Sequence, residues 1–207
     1  MKQLFKSIVI FCLLMLSLRV GKAWYESTDM FVRKHAVMLH SAKGSCSGAE
    51  VIAPSGKIYV LTADHCRGLV IGGSLFAHHD GGPVYELQLI AEDPNADLML
   101  LSAGDAVSGI QIAPSPLASH EAVHTITYGW GHSAYRTDGE ALLDEVTGLV
   151  CGVHGTIRIT TAAIVPGSSG GPMLDFRGRL QGVASCSDGL FSAFVKLEDI
   201  QAFLKNR

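Results

Sequence analysis

The amino-acid sequence predicts an all-β fold built from barrels or sandwiches. Short apolar runs follow one another along the chain, glycine- and proline-containing turns separate them, and a polar stretch near the middle divides them into two groups. Many short strands separated by such turns are typical of β-barrels and β-sandwiches. Glycine contributes 23 of the 207 residues, which suits a chain that turns often.

The first group of apolar runs precedes the middle of the chain. Turn residues separate the runs of this group, for example Pro54-Ser55-Gly56 and Gly81-Gly82-Pro83. The predicted strands are His35–Ser41, Ser45–Ala53, Ile58–Ala63, Ser74–His79, Val84–Ala91 and Asp97–Ser102.

A polar, proline-containing stretch at about residues 104–121 is interpreted as a linker to the second group. After the last strand, Leu197, Ile200 and Leu204 recur at helical spacing and predict a short helix over residues 197–206. The strands predicted between linker and helix are Ala122–Tyr128, Glu145–Val153, Thr156–Thr161, Pro172–Asp175, Leu180–Cys186 and Phe191–Val195.

The N-terminus has the pattern of a secretory signal peptide. Lys2 and Lys6 precede an apolar run over residues 7–18, and Gly21 and Ala23 place small residues before a cleavage site. We expect residues 1–23 to be removed after Ala23, which predicts a secreted or periplasmic protein with no stable membrane association afterwards. The alternative, an uncleaved anchor, is disfavoured because a spanning helix needs about 20 apolar residues.

Composition excludes some classes of function. Apolar residues make up 48% of the chain and charged residues 17%, so a packed core is expected and disorder is not. The formal net charge is −3 and no long basic block is present, so no nucleic-acid partner is expected. No cofactor is predicted, and the oligomeric state is left open.

The cysteines indicate disulfides. Cys12 lies in the signal region, and an even number remains: Cys46, Cys66, Cys151 and Cys186. In an exported protein this predicts two disulfides, for which three pairings are possible. A metal site is disfavoured because no two cysteines have C-x-x-C spacing.

Three segments carry the residue types of an acyl-transfer site. His65 ends an apolar run, Asp97 opens another, and Ser169 lies in the glycine-rich turn of residues 166–172. A serine hydroxyl needs a base to become nucleophilic, histidine has a suitable pKa, and an aspartate fixes the histidine's tautomer. Competing residues are Asp64 and Asp93 for the acid and Ser168 for the nucleophile. The position of Asp97 before an apolar strand, and that of Ser169 before Gly-Gly-Pro, favour the first three.

The glycines beside Ser169 suit the second requirement of the reaction. A tetrahedral intermediate bears an oxyanion, which backbone N–H groups can stabilise. Gly167 can adopt unusual backbone angles, so its N–H and that of Ser169 are predicted to form the oxyanion hole.

These segments resemble the trypsin-like serine protease family. Residues 62–66 fit T-A-x-H-C, residues 97–101 fit D-x-x-L-L, and residues 167–172 fit G-x-S-G-G-P. The resemblance implies two six-stranded antiparallel β-barrels (chymotrypsin-like) with a short C-terminal helix, the first over about residues 30–103 and the second over about residues 122–196. It also implies a serine endopeptidase whose partners are protein or peptide substrates.

The likeness is greatest to the Deg/HtrA branch, through residues 146–150 and 157–172. Two departures bear on regulation. That branch continues into a PDZ domain, where this chain ends after its terminal helix. Ser168 stands where digestive members carry an aspartate that pairs with a newly cut N-terminus, so that zymogen switch is not expected.

The resemblance implies further site residues. Cys46 and Cys66 match the pair that ties the histidine loop to the preceding strand, which leaves Cys151 with Cys186. Asp188 is expected at the pocket rim, and without a buried charge the pocket should prefer small or medium apolar residues before the scissile bond. The pocket walls would be Ala163, Ile164, Pro166, Ser185, Cys186 and Ser187.

Two alternatives stay open. One is a catalytically silent binding protein on the same fold, although no member of the triad is missing. The other is an esterase with a G-x-S-x-G elbow at residues 167–171, although no helix pattern follows that serine.

Overall fold

The computed structural model describes residues 2–150 and 153–207. The chain divides into two compact units, Met1–Phe31 and Val32–Arg207. Helix α1 spans Lys2–His35, beyond the predicted cleavage after Ala23, and the sequence analysis predicted no helix over residues 24–35. This part contains no proline or glycine, and Arg33, Lys34 and His35 in the last turn complement the negative end of the helix dipole. Among the described residues, no helix combines the length and apolarity needed to cross a membrane.

The first barrel begins at Ala36, later than the predicted residue 30. Its six strands run in the order β1-β4-β5-β6-β3-β2, and pairing of β1 with β2 closes the ring. A short strand, β7 (Ile110–Gln111), joins β2 in parallel from within the predicted linker. The other strands are β1 (Ala36–Ser41), β2 (Gly44–Ile52), β3 (Ile58–Thr62), β4 (Ser74–His78), β5 (Tyr85–Asp93) and β6 (Leu98–Ser102).

The second barrel is closed in the order β10-β13-β12-β11-β8-β9. The predicted fold of two six-stranded barrels and a C-terminal helix is therefore confirmed. Strand β9 starts ten residues before its predicted beginning, because polar residues 136–138 pair with β8 although they lack an apolar pattern. The strands are β8 (Ala122–Thr127), β9 (Tyr135–Val150), β10 (Val153–Thr160), β11 (Pro172–Leu174), β12 (Leu180–Ser187) and β13 (Ser192–Lys196).

Helix α2 spans Leu197–Leu204 and packs against β12 and β13 of the second barrel. Leu197, Ile200 and Leu204 are fully buried, as their spacing predicts. Burial of each such side chain contributes roughly 2 kcal/mol. Gln201 Nε2 donates to the carbonyl oxygen of Ala113 at 2.9 Å, so the helix also fixes the segment between the barrels.

Candidate active site

His65 lies in a 3-10 helix, Asp64–Leu69, that follows β3. The next residue, Cys66, forms a disulfide with Cys46 on β2, as the resemblance implied. The bond ties the histidine turn to the neighbouring strand. The other implied pair stays a prediction, since Cys151 lies outside the described residues; Cys186 itself does not carry a free thiol.

Asp97 directly precedes β6 and has a left-handed backbone, with φ of 54°. This conformation is uncommon outside glycine, although aspartate tolerates it better than most residues. The side chain is buried and accepts three hydrogen bonds. His65 donates its backbone N–H at 2.9 Å and Nδ1–H at 3.0 Å, and Ser185 Oγ donates at 2.7 Å.

The Asp97 carboxylate stays charged despite its burial. Burial raises its pKa, but hydrogen bonds from His65 and Ser185 and the attraction of His65 outweigh this, so the pKa lies below the ordinary value. The hydrogen bond to Asp97 raises the pKa of His65, which burial only partly opposes. The pair therefore holds a carboxylate beside a histidine that readily becomes an imidazolium.

The competing acids have other surroundings. Asp93 Oδ1 accepts from the backbone N–H groups of Asn95 and Ala96, so it caps the turn before Asp97. Burial, Glu92 and Asp97 raise the pKa of Asp64. Only Asp97 hydrogen-bonds the His65 ring among the described residues.

Ser185 connects Ser169 to the His65–Asp97 pair by hydrogen bonds. The Ser169 hydroxyl donates to the Ser185 carbonyl oxygen at 3.4 Å, while the Ser185 hydroxyl holds Asp97. In the described part of the chain, Ser169 Oγ makes no hydrogen bond with His65; such bonds are often long without substrate and tighten when substrate binds. The competing Ser168 is fully buried, so Ser169 carries the accessible hydroxyl.

Two peptide groups beside Ser169 are oriented by their carbonyl oxygens. The Pro166 carbonyl accepts from Trp130 N–H at 2.7 Å, and the Ser168 carbonyl accepts from Gly171 N–H at 2.9 Å. In a trans peptide the N–H points away from the carbonyl, so the N–H groups of Gly167 and Ser169 point away from these donors. Neither N–H has an acceptor among the described residues. Gly167 has φ of 92°, and a Cβ there would lie 2.9 Å from the Tyr128 carbonyl oxygen.

A cavity of about 400 Å³ opens beside the nucleophile. Of the predicted pocket residues, Ala163 lies outside the lining, and its carbonyl accepts instead from Thr137 Oγ1 at 2.8 Å. No described residue that lines the cavity is charged. The lining comprises Ile164, Val165, Pro166, Ser169, Ser185, Cys186, Ser187 and Gly189.

Asp188, expected at the pocket rim, is not among the described residues that line this cavity, although its neighbours Ser187 and Gly189 are. Its carboxylate accepts from the backbone N–H groups of Phe191 at 2.8 Å and Leu190 at 2.9 Å, and these bonds lower its pKa. The hydroxyls of Ser185 and Ser187 are also engaged, with Asp97 and with the Phe191 carbonyl. Among the described residues, the lining of the cavity therefore offers no charged partner for a substrate side chain.

Sequence reasoning missed Ser47, which joins the first barrel to the nucleophile turn. Its N–H donates to the Ser169 carbonyl at 2.7 Å, its hydroxyl donates to the Gly167 carbonyl at 2.8 Å, and it accepts from Tyr128 N–H. Trp130, which is 66% exposed, also supports this turn. It acts through its backbone, which no side-chain pattern could reveal.

Comparisons with known proteins bear on the family and the fold. The family model described as "Trypsin-like peptidase domain" matches residues 46–183. No curated protein matched the chain. Among solved structures, the active form of the Rv3671c protease from M. tuberculosis is 19% identical with a TM-score of 0.73, over 86% of this chain and 82% of that one.

Two further structures are similar. The HtrA-type protease AlgW with a tripeptide is 21% identical with a TM-score of 0.71, over 87% of this chain and 64% of that one. The serine endoprotease from Yersinia pestis is 20% identical with a TM-score of 0.69, over 87% and 65%. At these identities the likeness shows the fold, while the family model spans more than half of the chain. The protein therefore belongs to the family of trypsin-like peptidase domains.

Proposed function

We propose that this protein is a secreted serine endopeptidase that cleaves peptide bonds through an acyl-enzyme on Ser169. The observation that carries the proposal is the hydrogen-bond chain from His65 through Asp97 and Ser185 to Ser169. Ser169 is followed by strand β11 rather than a helix, which argues against an esterase elbow.

In the proposed reaction, Ser169 Oγ attacks the substrate carbonyl carbon while His65 accepts the hydroxyl proton. Asp97 holds the histidine tautomer and stabilises the imidazolium. The carbonyl oxygen becomes an oxyanion, which the N–H groups of Gly167 and Ser169 stabilise. His65 then protonates the leaving amine, the C–N bond breaks, and water hydrolyses the acyl-enzyme by the same route.

A fluorophosphonate probe tests this reaction directly. The wild-type protein should be labelled covalently and should cleave a proteome-derived peptide mixture, whereas Ser169→Ala should do neither. Ser168→Ala should still be labelled, because it keeps the nucleophile. Absence of labelling and cleavage in the wild type would instead support a silent binding protein.

We infer that the pocket prefers small or medium apolar side chains before the scissile bond. The uncharged lining and the engaged serine hydroxyls support this, because a buried, unpartnered charge is costly. A peptide library should show dominant cleavage after residues such as Ala, Val or Leu. Dominant cleavage after Arg, Lys or Glu would refute the assignment.

The proposed site of action is outside the cytoplasm. The pattern of residues 1–23 supports export and removal after Ala23. Mass spectrometry of the protein from an exporting host should find a mature N-terminus at Trp24. A chain that keeps Met1 in the exported fraction would refute the cleavage.

A further inference from the structure

The hydroxyl of Ser168, next to the nucleophile, lies in a network of uncharged groups. Ser168 is fully buried, and its Oγ lies 2.9 Å from Thr127 Oγ1 and 2.8 Å from the hydroxyl of Tyr135. The backbone N–H of Val165 donates to the same oxygen at 3.2 Å. Thr127 ends β8 and Tyr135 opens β9, where the two residues are directly paired.

These contacts use the full capacity of the Ser168 hydroxyl. A serine hydroxyl donates one hydrogen bond and accepts two. Val165 occupies one acceptor position, and Thr127 and Tyr135 occupy the remaining donor and acceptor positions. Because every position is filled inside the protein, the side chain is held in one rotamer.

Fixing Ser168 also fixes the backbone on both sides of it. Its N–H donates to the Val165 carbonyl at 2.9 Å while its hydroxyl accepts from the Val165 N–H, so two bonds close the turn over residues 165–168. This turn contains Gly167, and the peptide that follows it supplies the N–H of Ser169. The orientation of both N–H groups therefore depends on the turn.

The Tyr135 ring reaches a second support of the same turn. A Cβ on Gly129 would lie 2.6 Å from Tyr135 Cε1 and would also collide with the Val165 side chain. Tyr135 thus packs closely against the backbone at Gly129. The next residue, Trp130, donates to the Pro166 carbonyl and so sets the direction of the Gly167 N–H.

We propose that Thr127, Tyr135 and Ser168 are positioning residues that keep the two oxyanion donors aimed through neutral hydrogen bonds. The inference rests on the proposed endopeptidase function. The network contains no carboxylate and no amine, so it needs no newly cut N-terminus to form.

The structure offers a matched control on the same pair of strands. Thr125 and Thr127 are both fully buried on β8, and each hydroxyl has a 2.9 Å partner, Thr137 for Thr125 and Ser168 for Thr127. Thr125→Val and Thr127→Val therefore remove equivalent hydroxyls. Only the second removes a contact with Ser168.

The test measures kinetics on a cleaved peptide and inhibition by a peptide aldehyde, whose hemiacetal oxygen occupies the oxyanion position. Thr127→Val and Tyr135→Phe should each lower kcat ~10–100-fold, with KM within about twofold, and should weaken aldehyde inhibition by a similar factor. Thr125→Val should stay within about twofold in all three quantities. Thr127→Ser keeps the hydroxyl that Thr127→Val removes, so its kinetics should be close to those of the wild type.

Amide hydrogen exchange over residues 165–171 provides a readout that does not need activity. Exchange there should be faster in Thr127→Val and Tyr135→Phe than in wild type, and unchanged in Thr125→Val. Equal losses in Thr125→Val and Thr127→Val, or unchanged kcat and exchange in Tyr135→Phe, would overturn the inference. An unlabelled, inactive wild type would refute the endopeptidase function, while the exchange comparison would still decide the role of the network.

Discussion

Two buried carboxylates among the described residues, Asp97 and Glu50, are paired with histidines that differ in their access to solvent. Asp97 binds His65, whose side chain is 45% exposed. Glu50 on β2 binds His35 Nδ1 at 2.8 Å, with both side chains less than a tenth exposed, and binds His79 Nε2 at 3.2 Å. A carboxylate–histidine pair thus lies at an open site, and another, formed by Glu50 and His35, is buried in the protein.

The comparison indicates that solvent access to the histidine, more than the carboxylate–histidine pair itself, distinguishes a pair that can act in catalysis from one that stabilises the fold. A histidine base must reach a reacting proton, and His65 can do so because one side of its ring is open. In the cluster of Glu50, His35 and His79 (the Glu50 cluster), the ring nitrogens of both histidines contact other groups of the protein. His35 Nε2 contacts Ser108 Oγ at 3.2 Å, and His79 contacts the Ala36 carbonyl at 3.1 Å and the Tyr85 hydroxyl at 3.1 Å. We therefore expect the Glu50 cluster to stabilise the barrel.

The largest expected effect comes from Asp97→Asn. The amide can no longer hold the productive tautomer of His65, so kcat/KM should fall roughly 10⁴-fold while the fold is retained. Peptide cleavage and circular dichroism measure the two quantities. A loss below about tenfold in a folded protein would contradict the role of Asp97.

In contrast to Asp97→Asn, Glu50→Gln should lower the stability of the protein and leave its activity nearly unchanged. It removes the charge between two histidines in a buried site, and breaking such a pair costs about 3 kcal/mol or more of unfolding free energy. The kcat/KM of the folded fraction should change by less than about twofold. Urea denaturation and active-site titration measure these quantities, and an activity loss without destabilisation would show that Glu50 serves the reaction.

The two regions should also respond oppositely to pH. Burial raises the pKa of Glu50, but the hydrogen bonds and the attraction of His35 and His79 together lower it by a larger amount. The pKa therefore lies below its ordinary value of 4.5. The bond to Glu50 raises the pKa of His79 above 6.5, against burial and nearby Lys34. Glu50's contribution to stability is present above pH 4.5 and is lost as pH falls through its folded pKa. The contribution of His79 is complete below pH 6.5 and is lost as pH rises through its folded pKa.

The stability difference between wild type and Glu50→Gln should therefore be greatest between about pH 4.5 and 6.5 and should shrink above that window. Activity should rise over that higher range, because His65 acts as a base only when neutral and its pKa also lies above 6.5. Thermal unfolding and kcat/KM, both measured from pH 4 to 9, test this. A stability difference that grows above pH 6.5 would refute the assignment.

The comparison also shows what the sequence could predict. His65, Asp97 and Ser169 each lie in a short segment whose residue types the chemistry requires, so local patterns identified them. Glu50 and its histidines come from separate elements and share no local pattern. Ser185 was assigned only to the pocket wall, because its bond to Asp97 spans 88 positions of sequence. Short apolar runs separated by turns predicted an all-β fold, and the family resemblance implied the two barrels. The polar start of β9 could be recognised only from its pairing with β8.

The smallest expected effects come from the serine that supports each pair. Ser185 donates to Asp97 at 2.7 Å, and Ser108 contacts His35 at 3.2 Å. Ser185→Ala removes a hydrogen bond to a charged group at the open site, so kcat/KM should fall about tenfold, corresponding to about 1.4 kcal/mol. Ser108→Ala should leave kcat/KM unchanged and lower the unfolding free energy by about 1 kcal/mol. If Ser108→Ala lowered activity as much as Ser185→Ala does, the two carboxylates would not be separable into a reactive and a structural pair.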